Sequence, residues 1–266
     1  MRDITLGMYF PGDTVVHRLD PRTKLILSLL FIVCTLWAGN YFSYAFVLAV
    51  LALCIALSRI GPGALFRGLR PLVMIIIFTG ILNLLYTGGT PLWSFWIFTI
   101  TREGLRTALF NVLRILMLVS STFLLTYTTA PIALTDGMEL LLGGLRKIKV
   151  PVHELAMMMS IALSIIPSLV AETDKIMSAQ KSRGASFDTG RLAERAKALL
   201  PILVPLFLSA FRRADELAIA MESRCYHGGE GRTRMKILAY KTSDVVALLG
   251  GFVVLIVVVT LSRLGL

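Results

Sequence analysis

Arg183 and Arg224 are the residues of this chain whose type and spacing point to chemistry, and that chemistry is recognition rather than catalysis. Segments 174–185 and 215–226 overlay without a gap. The shared frame is Asp174 or Asp215, then Ile176 or Leu217, Ala179 or Ala220, Ser182 or Ser223, and finally Arg183 or Arg224. A guanidinium carries five donors in a rigid fork that matches the two oxygens of a carboxylate. Ser182, Gly184 and Ala185 in one copy, and Ser223 and Cys225 beside Tyr226 in the other, are mostly small and would let a helix end enter a narrow groove. Asp174, Asp215 and Glu216 are expected to support these ends as nearby charges. A single Ser-Arg at a helix C-terminus is ordinary dipole-compatible surface. Two in one frame, each closing a long helix, favour docking into two near-equivalent receptors.

Catalytic signatures are missing. The chain has no GxxxxGK[ST], HExxH or GxSxG, so neither P-loop ATP binding nor zinc or serine hydrolysis is expected. His17, His153 and His227 lie far apart, and Cys34, Cys54 and Cys225 form no CxxC. No metal, cofactor or disulfide is expected, and no enzymatic activity.

The elements that must position the two arginines belong to a membrane protein. The chain has 266 residues, 56% of them apolar, and a mean hydropathy of +0.78, beyond ordinary soluble composition. The formal charge of +11 is segregated in blocks along the chain, which fits membrane orientation better than a nucleic-acid groove. Residues 25–57 are too long for one crossing of about 20 residues. Gly39-Asn40 supplies a turn, so two spans are expected there. Asp20 and Pro21 suit the N-cap and first position of the first helix. A third span is expected over residues 71–86, a fourth over 104–129 and a last over 245–261. Residues 92–98 are short and aromatic and read as an interfacial segment. Arg106, Asn111 and Arg114 fall in the fourth span. Snorkelling or facing the bundle interior accounts for them more readily than a substrate path does.

Residues 130–243 change character, with helices expected at about 135–149, 153–183 and 191–226. Pro167, Pro201 and Pro205 should kink the two long ones. If both long helices crossed the bilayer, six basic residues of segment 172–197 would lie outside, against the positive-inside tendency. If neither crosses, all Lys and Arg but Arg102, Arg106, Arg114 and Arg263 lie on the cytoplasmic side. The expected organisation is therefore a cytoplasmic N-terminal segment (1–24), a four-helix membrane domain (25–129), a cytoplasmic domain of one short and two long helices (130–243) and a C-terminal span (244–266). The fold class is all-α and polytopic, with about five transmembrane helices.

The stretch 11–25 (PGDTVVHRLDPRTKL), the two tips Ser-Arg-Gly-Ala and Ser-Arg-Cys-Tyr, and segment 211–217 (FRRADEL) resemble the transmembrane (T) subunit of energy-coupling factor transporters over essentially the whole chain. The resemblance implies a bacterial inner-membrane protein whose two long helices cross in a cytoplasmic coupling domain. It implies that each ends in an Ala-Arg-Gly-like motif seated in a groove of one of two ABC ATPase subunits. Arg183 and Arg224 match the two coupling arginines. Ser182 and Ser223 replace the usual Ala, and Cys225 stands where the first motif has Gly184. A substrate-binding S subunit is implied on the other face of the coupling domain, with vitamins and related micronutrients as the solute class. Met157, Met158 and Met159, with Ile161, Ile165 and Ile166, form either an adaptable platform for that subunit or ordinary helix–helix core. The alternatives are a cobalt or nickel importer of the same design, or a self-contained permease using Arg106, Asn111 and Arg114. Partners would be the ATPases, the S subunit and membrane lipids. Nucleic acid is not expected, because Glu172, Asp174, Glu194, Asp215, Glu216 and Glu222 interleave with the basic residues.

Overall fold

The structure, a computed structural model, describes residues 9–88, 90–95, 98–185, 192–228 and 238–264. Described residues 9–140 and 238–264 fall in one compact unit, and 141–228 in a second.

The first unit is built of apolar helices that enter and leave at polar caps. A short helix, α1 (Val15–Arg18), precedes α2 (Pro21–Trp37). As expected, Asp20 caps α2 by accepting the Arg22 backbone N–H at 2.9 Å, with Pro21 at the first position. The Gly39-Asn40 turn leads into α3 (Tyr41–Ser58). Helix α4 (Pro62–Leu69) passes through a 3-10 turn, Arg70–Leu72, into α5 (Val73–Tyr86), where Pro71 lacks the N–H that a regular helix would use. The aromatic segment forms an antiparallel hairpin, β1 (Pro91–Phe95) with β2 (Phe98–Thr101), pairing Phe95 with Phe98. Helix α6 (Arg102–Thr128) follows, with Thr101 as its cap. Then come α7 (Pro131–Leu142) and a 3-10 turn, Gly143–Ile148. The short helix thus starts earlier than expected, at Pro131, and loses α geometry at Gly143-Gly144, where helix propensity is poorest.

Helix α8 (Val152–Ser182) and α9 (Leu192–Glu222) have 31 residues each and make up most of the second unit. Pro167 lies inside α8, and Pro201 and Pro205 inside α9. Arg191, the expected first residue of α9, lies outside the described residues. The last helix, α10 (Thr242–Arg263), returns to the first unit.

The packing register of that first unit can be read from its contacts. Asp20 meets Asp244, and Asn40 meets Leu261 and Ser262, so α2 and α10 run parallel. Lys24 meets Thr128 while Ala38 meets Arg114, so α6 runs antiparallel to α2. Cys34, Ala38, Tyr44, Val47, Leu51, Phe110, Met117 and Val258 close a core among α2, α3, α6 and α10. Outward faces stay apolar: Val246 is 68% exposed and Ile256 62%. Such faces are at home in lipid rather than water.

Among the described residues, five helical stretches are long and apolar enough to cross a membrane: Tyr41–Ser58, Pro62–Tyr86, Arg102–Thr128, Val152–Ser182 and Thr242–Arg263. The protein is a multi-pass membrane protein of helical class. Four of the five coincide with expected spans. The remaining expected span, α2, has 17 residues, the short end of the crossing range of about 17–25. Helix α8 also reaches that length and apolarity, although the sequence reading assigns it to the cytoplasmic domain.

Candidate functional site

The two Ser-Arg ends adopt one geometry. At the end of α8 the Ala185 N–H donates to the Gln180 carbonyl at 3.0 Å and the Gly184 N–H to the Lys181 carbonyl at 3.0 Å. At the end of α9 the Tyr226 N–H donates to the Met221 carbonyl at 3.1 Å and the Cys225 N–H to the Glu222 carbonyl at 2.8 Å. This pair of bonds is a Schellman motif, which needs a left-handed residue just past the cap. Gly184 supplies it at φ 89° and Cys225 at φ 57°. Arg183 and Arg224 therefore occupy the same cap position. The preceding serines match as well: Ser182 Oγ donates to the Ser178 carbonyl at 3.1 Å, and Ser223 Oγ to the Ile219 carbonyl at 2.7 Å. Each serine hydroxyl folds back along its own helix. Both arginines are exposed, and among the described residues neither makes an ion pair.

The sequence matches the family CbiQ, described as "Cobalt transport protein", over residues 12–236. A protein of Thermosediminibacter oceani is 53% identical over 247 residues, covering 93% of each chain. One of Ruminiclostridium cellulolyticum is 50% identical over 245 residues, covering 92% of each. One of Bacillus subtilis is 48% identical over 245 residues, again 92% of each. All three are named "Energy-coupling factor transporter transmembrane protein EcfT". The chain belongs to the EcfT family.

Other expected site residues fall less neatly on the EcfT fold. Asp174 lies nine residues upstream of Arg183, about 13 Å along the helix, and Asp215 stands in the same relation to Arg224. Asp174, Asp215 and Glu216 are thus separated from the guanidinium heads along their own helices. Met158 and Met159 are 55% and 51% exposed, whereas Met157, Ile161, Ile165 and Ile166 are half-buried. Two of the six expected platform residues are openly presented. Arg106 lies over the Tyr41 and Phe110 rings, each at 5.3 Å, and Arg114 over Tyr44 at 5.9 Å. Arg114 also donates to the Ala38 carbonyl at the end of α2, at 3.4 Å. That places it against a helix C-terminus, where a cation is favoured. Asn111 donates to Asn83 Oδ1 at 3.2 Å. These contacts fit bundle packing.

Sequence reasoning missed two polar constellations. In the membrane unit, the Asp244 carboxylate accepts the Asp20 backbone N–H and the Lys241 backbone N–H, each at 2.8 Å. Arg22 grips Asp20 with two donors at 3.1 Å and reaches the Leu238 carbonyl at 2.8 Å, its guanidinium lying over Tyr240. Lys24, just ahead of the first expected span, donates to the His17 and Thr128 carbonyls at 3.1 and 2.8 Å. Residues Asp20, Arg22 and Lys24 of the 11–25 stretch thus fasten α2 to α6 and α10. In the second unit, Arg213 of α9 donates to Glu172 Oε2 at 2.7 Å and to Ser168 Oγ at 2.6 Å on α8. The usable signal was a charge at the edge of an uncharged helical run, since Glu172 ends 155–171 and Arg213 follows 198–211.

Proposed function

We propose that this chain is the energy-coupling transmembrane subunit of an ECF-type importer. It links ATP hydrolysis in two ABC ATPase subunits to movement of a membrane-embedded, substrate-binding S subunit that brings in a micronutrient of the vitamin class. The carrying observation is the pair of matching helix ends, each presenting an exposed arginine at the same position of the same Schellman geometry. Two equal tips suit two equal grooves, which a pair of ATPases offers. The protein does no bond chemistry in this reading. Its arginines hold carboxylates of the ATPases, follow them as nucleotide closes and opens their interface, and pass the displacement along α8 and α9.

The register of the membrane unit supports a cytoplasmic place for the long helices. The start of α2, the end of α6 and the start of α10 meet through Lys24–Thr128 and Asp20–Asp244. The stretch between α6 and α10 then leaves and re-enters on one side, with an even number of crossings or none. Helix α8 alone reaches spanning length and apolarity. The uncharged run of α9, 198–211, is flanked by Arg195, Lys197, Arg212 and Arg213. With neither helix crossing, the basic blocks fall on the inner side, along with the N-terminal segment.

The test is charge reversal. The Arg183→Glu, Arg224→Glu double variant is expected to lose co-purification of the ATPases and to lower uptake at least tenfold, with each single variant intermediate. Wild-type uptake by the double variant would refute the coupling role. The family description "Cobalt transport protein" favours a second reading of the cargo, a cobalt or nickel ion. Identifying the small molecule bound to the purified complex separates the two.

A further inference from the structure

The frame that aligns the two tips also aligns Glu172 with Arg213, which lies directly across from it. Arg183 is eleven residues beyond Glu172, and Arg224 is eleven residues beyond Arg213. At about 1.5 Å per residue each tip stands about 16 Å from the contact. On the other side of the contact, 155–171 and 198–211 contain no charged residue. The two helices therefore touch where both change from an apolar arm to a charged one.

The chemistry of the contact suits a bearing. Ser168 and Glu172 are one turn apart on the same face of α8. The Arg213 fork spans that turn, at 2.6 and 2.7 Å. Apolar burial is non-directional and lets helices slide, whereas a forked, charge-assisted grip fixes register. The side chains of Arg213 and Glu172 remain 38% and 25% exposed, so the pair is not sealed against rotation.

We propose that Arg213 with Glu172 and Ser168 is the fulcrum of the coupling helices. It holds their crossing point in register, so that displacement of the arginine tips swings the apolar arms on the far side. The idea rests on the coupling role proposed above.

The experiment uses the full complex with its ATPase and S subunits in nanodiscs, with the native cysteines kept and spin labels attached through genetically encoded azide side chains. Spin-label distances are measured with and without ATP. One pair, in place of Lys181 and Glu222, reports the tips; the other, in place of the exposed Leu155 and Leu203, reports the arms. In the parent complex both distances are expected to change with ATP. In Glu172→Arg or Arg213→Glu the tip change should persist while the arm change falls at least threefold. The swap Glu172→Arg with Arg213→Glu should restore the arm change to within twofold. Unaltered arm motion in the single variants, or a swap that does not restore it, overturns the fulcrum and leaves the coupling role standing. Tips indifferent to ATP in the parent complex overturn both. If the single variants do not assemble, the swap decides: an assembled, moving complex supports the fulcrum and a failed one overturns it.

Discussion

An L-residue in the left-handed region brings its Cβ against the neighbouring carbonyl, at roughly 1–2 kcal/mol. Cys225 sits there at φ 57°, where the other tip has Gly184 at φ 89°. The end of α9 thus reaches the geometry of the end of α8 at a conformational cost that the latter does not bear. Cys225→Gly should stabilise the end of α9 by about 1 kcal/mol. A Cβ at Gly184 would meet nothing within 4 Å, so Gly184→Ala isolates the backbone effect and should destabilise the end of α8 by about 1 kcal/mol. Hydrogen exchange of the amides that close the two motifs measures both, with slower exchange expected in the first variant and faster in the second. Equal protection in wild type and variants would mean that other contacts hold the ends. That the two arginines stand in one repeated frame was legible in the sequence. Their shared cap geometry was not, because a cysteine carries little local signal for a positive φ.

Among elements, α2 and α10 approach each other closely at Gly251. A Cβ on Gly251 would lie 2.5 Å from Leu27 Cδ2, whereas one on Gly250 would meet nothing within 4 Å. Gly251→Val should therefore destabilise the membrane unit by about 1–3 kcal/mol, and Gly250→Ala should leave it unchanged or slightly firmer. Thermal unfolding in detergent gives the comparison, and a similar loss at both positions would rule out the close approach as the cause. Spans were legible where length and apolarity coincide, as in α3, α6 and α10, and where Asp20-Pro21 announces a helix start. The aromatic stretch after α5 read as interfacial, but its hairpin pairing depends on cross-strand register rather than composition. The Arg213–Glu172 and Asp20–Asp244 contacts join residues 41 and 224 positions apart. The first separation is the offset of the repeated frame, whereas nothing periodic marks Asp20 and Asp244 as partners. For α8, apolarity alone points into the bilayer, and the charge balance and the parity of the crossings point the other way.

For the whole molecule, that parity has a direct readout in Cys225, which is exposed, while Cys34 is buried and Cys54 half-buried. With the chain expressed without its ATPase subunits, a membrane-impermeant maleimide should label Cys225 in inside-out vesicles at least tenfold faster than in intact cells. Equal or faster labelling from outside would put the arginine tips on the wrong face and end the coupling account. The end of α6 at Thr128 and the start of α10 near Asp244 are both held near the start of α2. During synthesis, Asp20 must wait 224 residues for its acceptor on Asp244. The seam between α2 and α10 thus closes only after the intervening residues have been made, and a chain cut short before α10 would leave that face of α2 open.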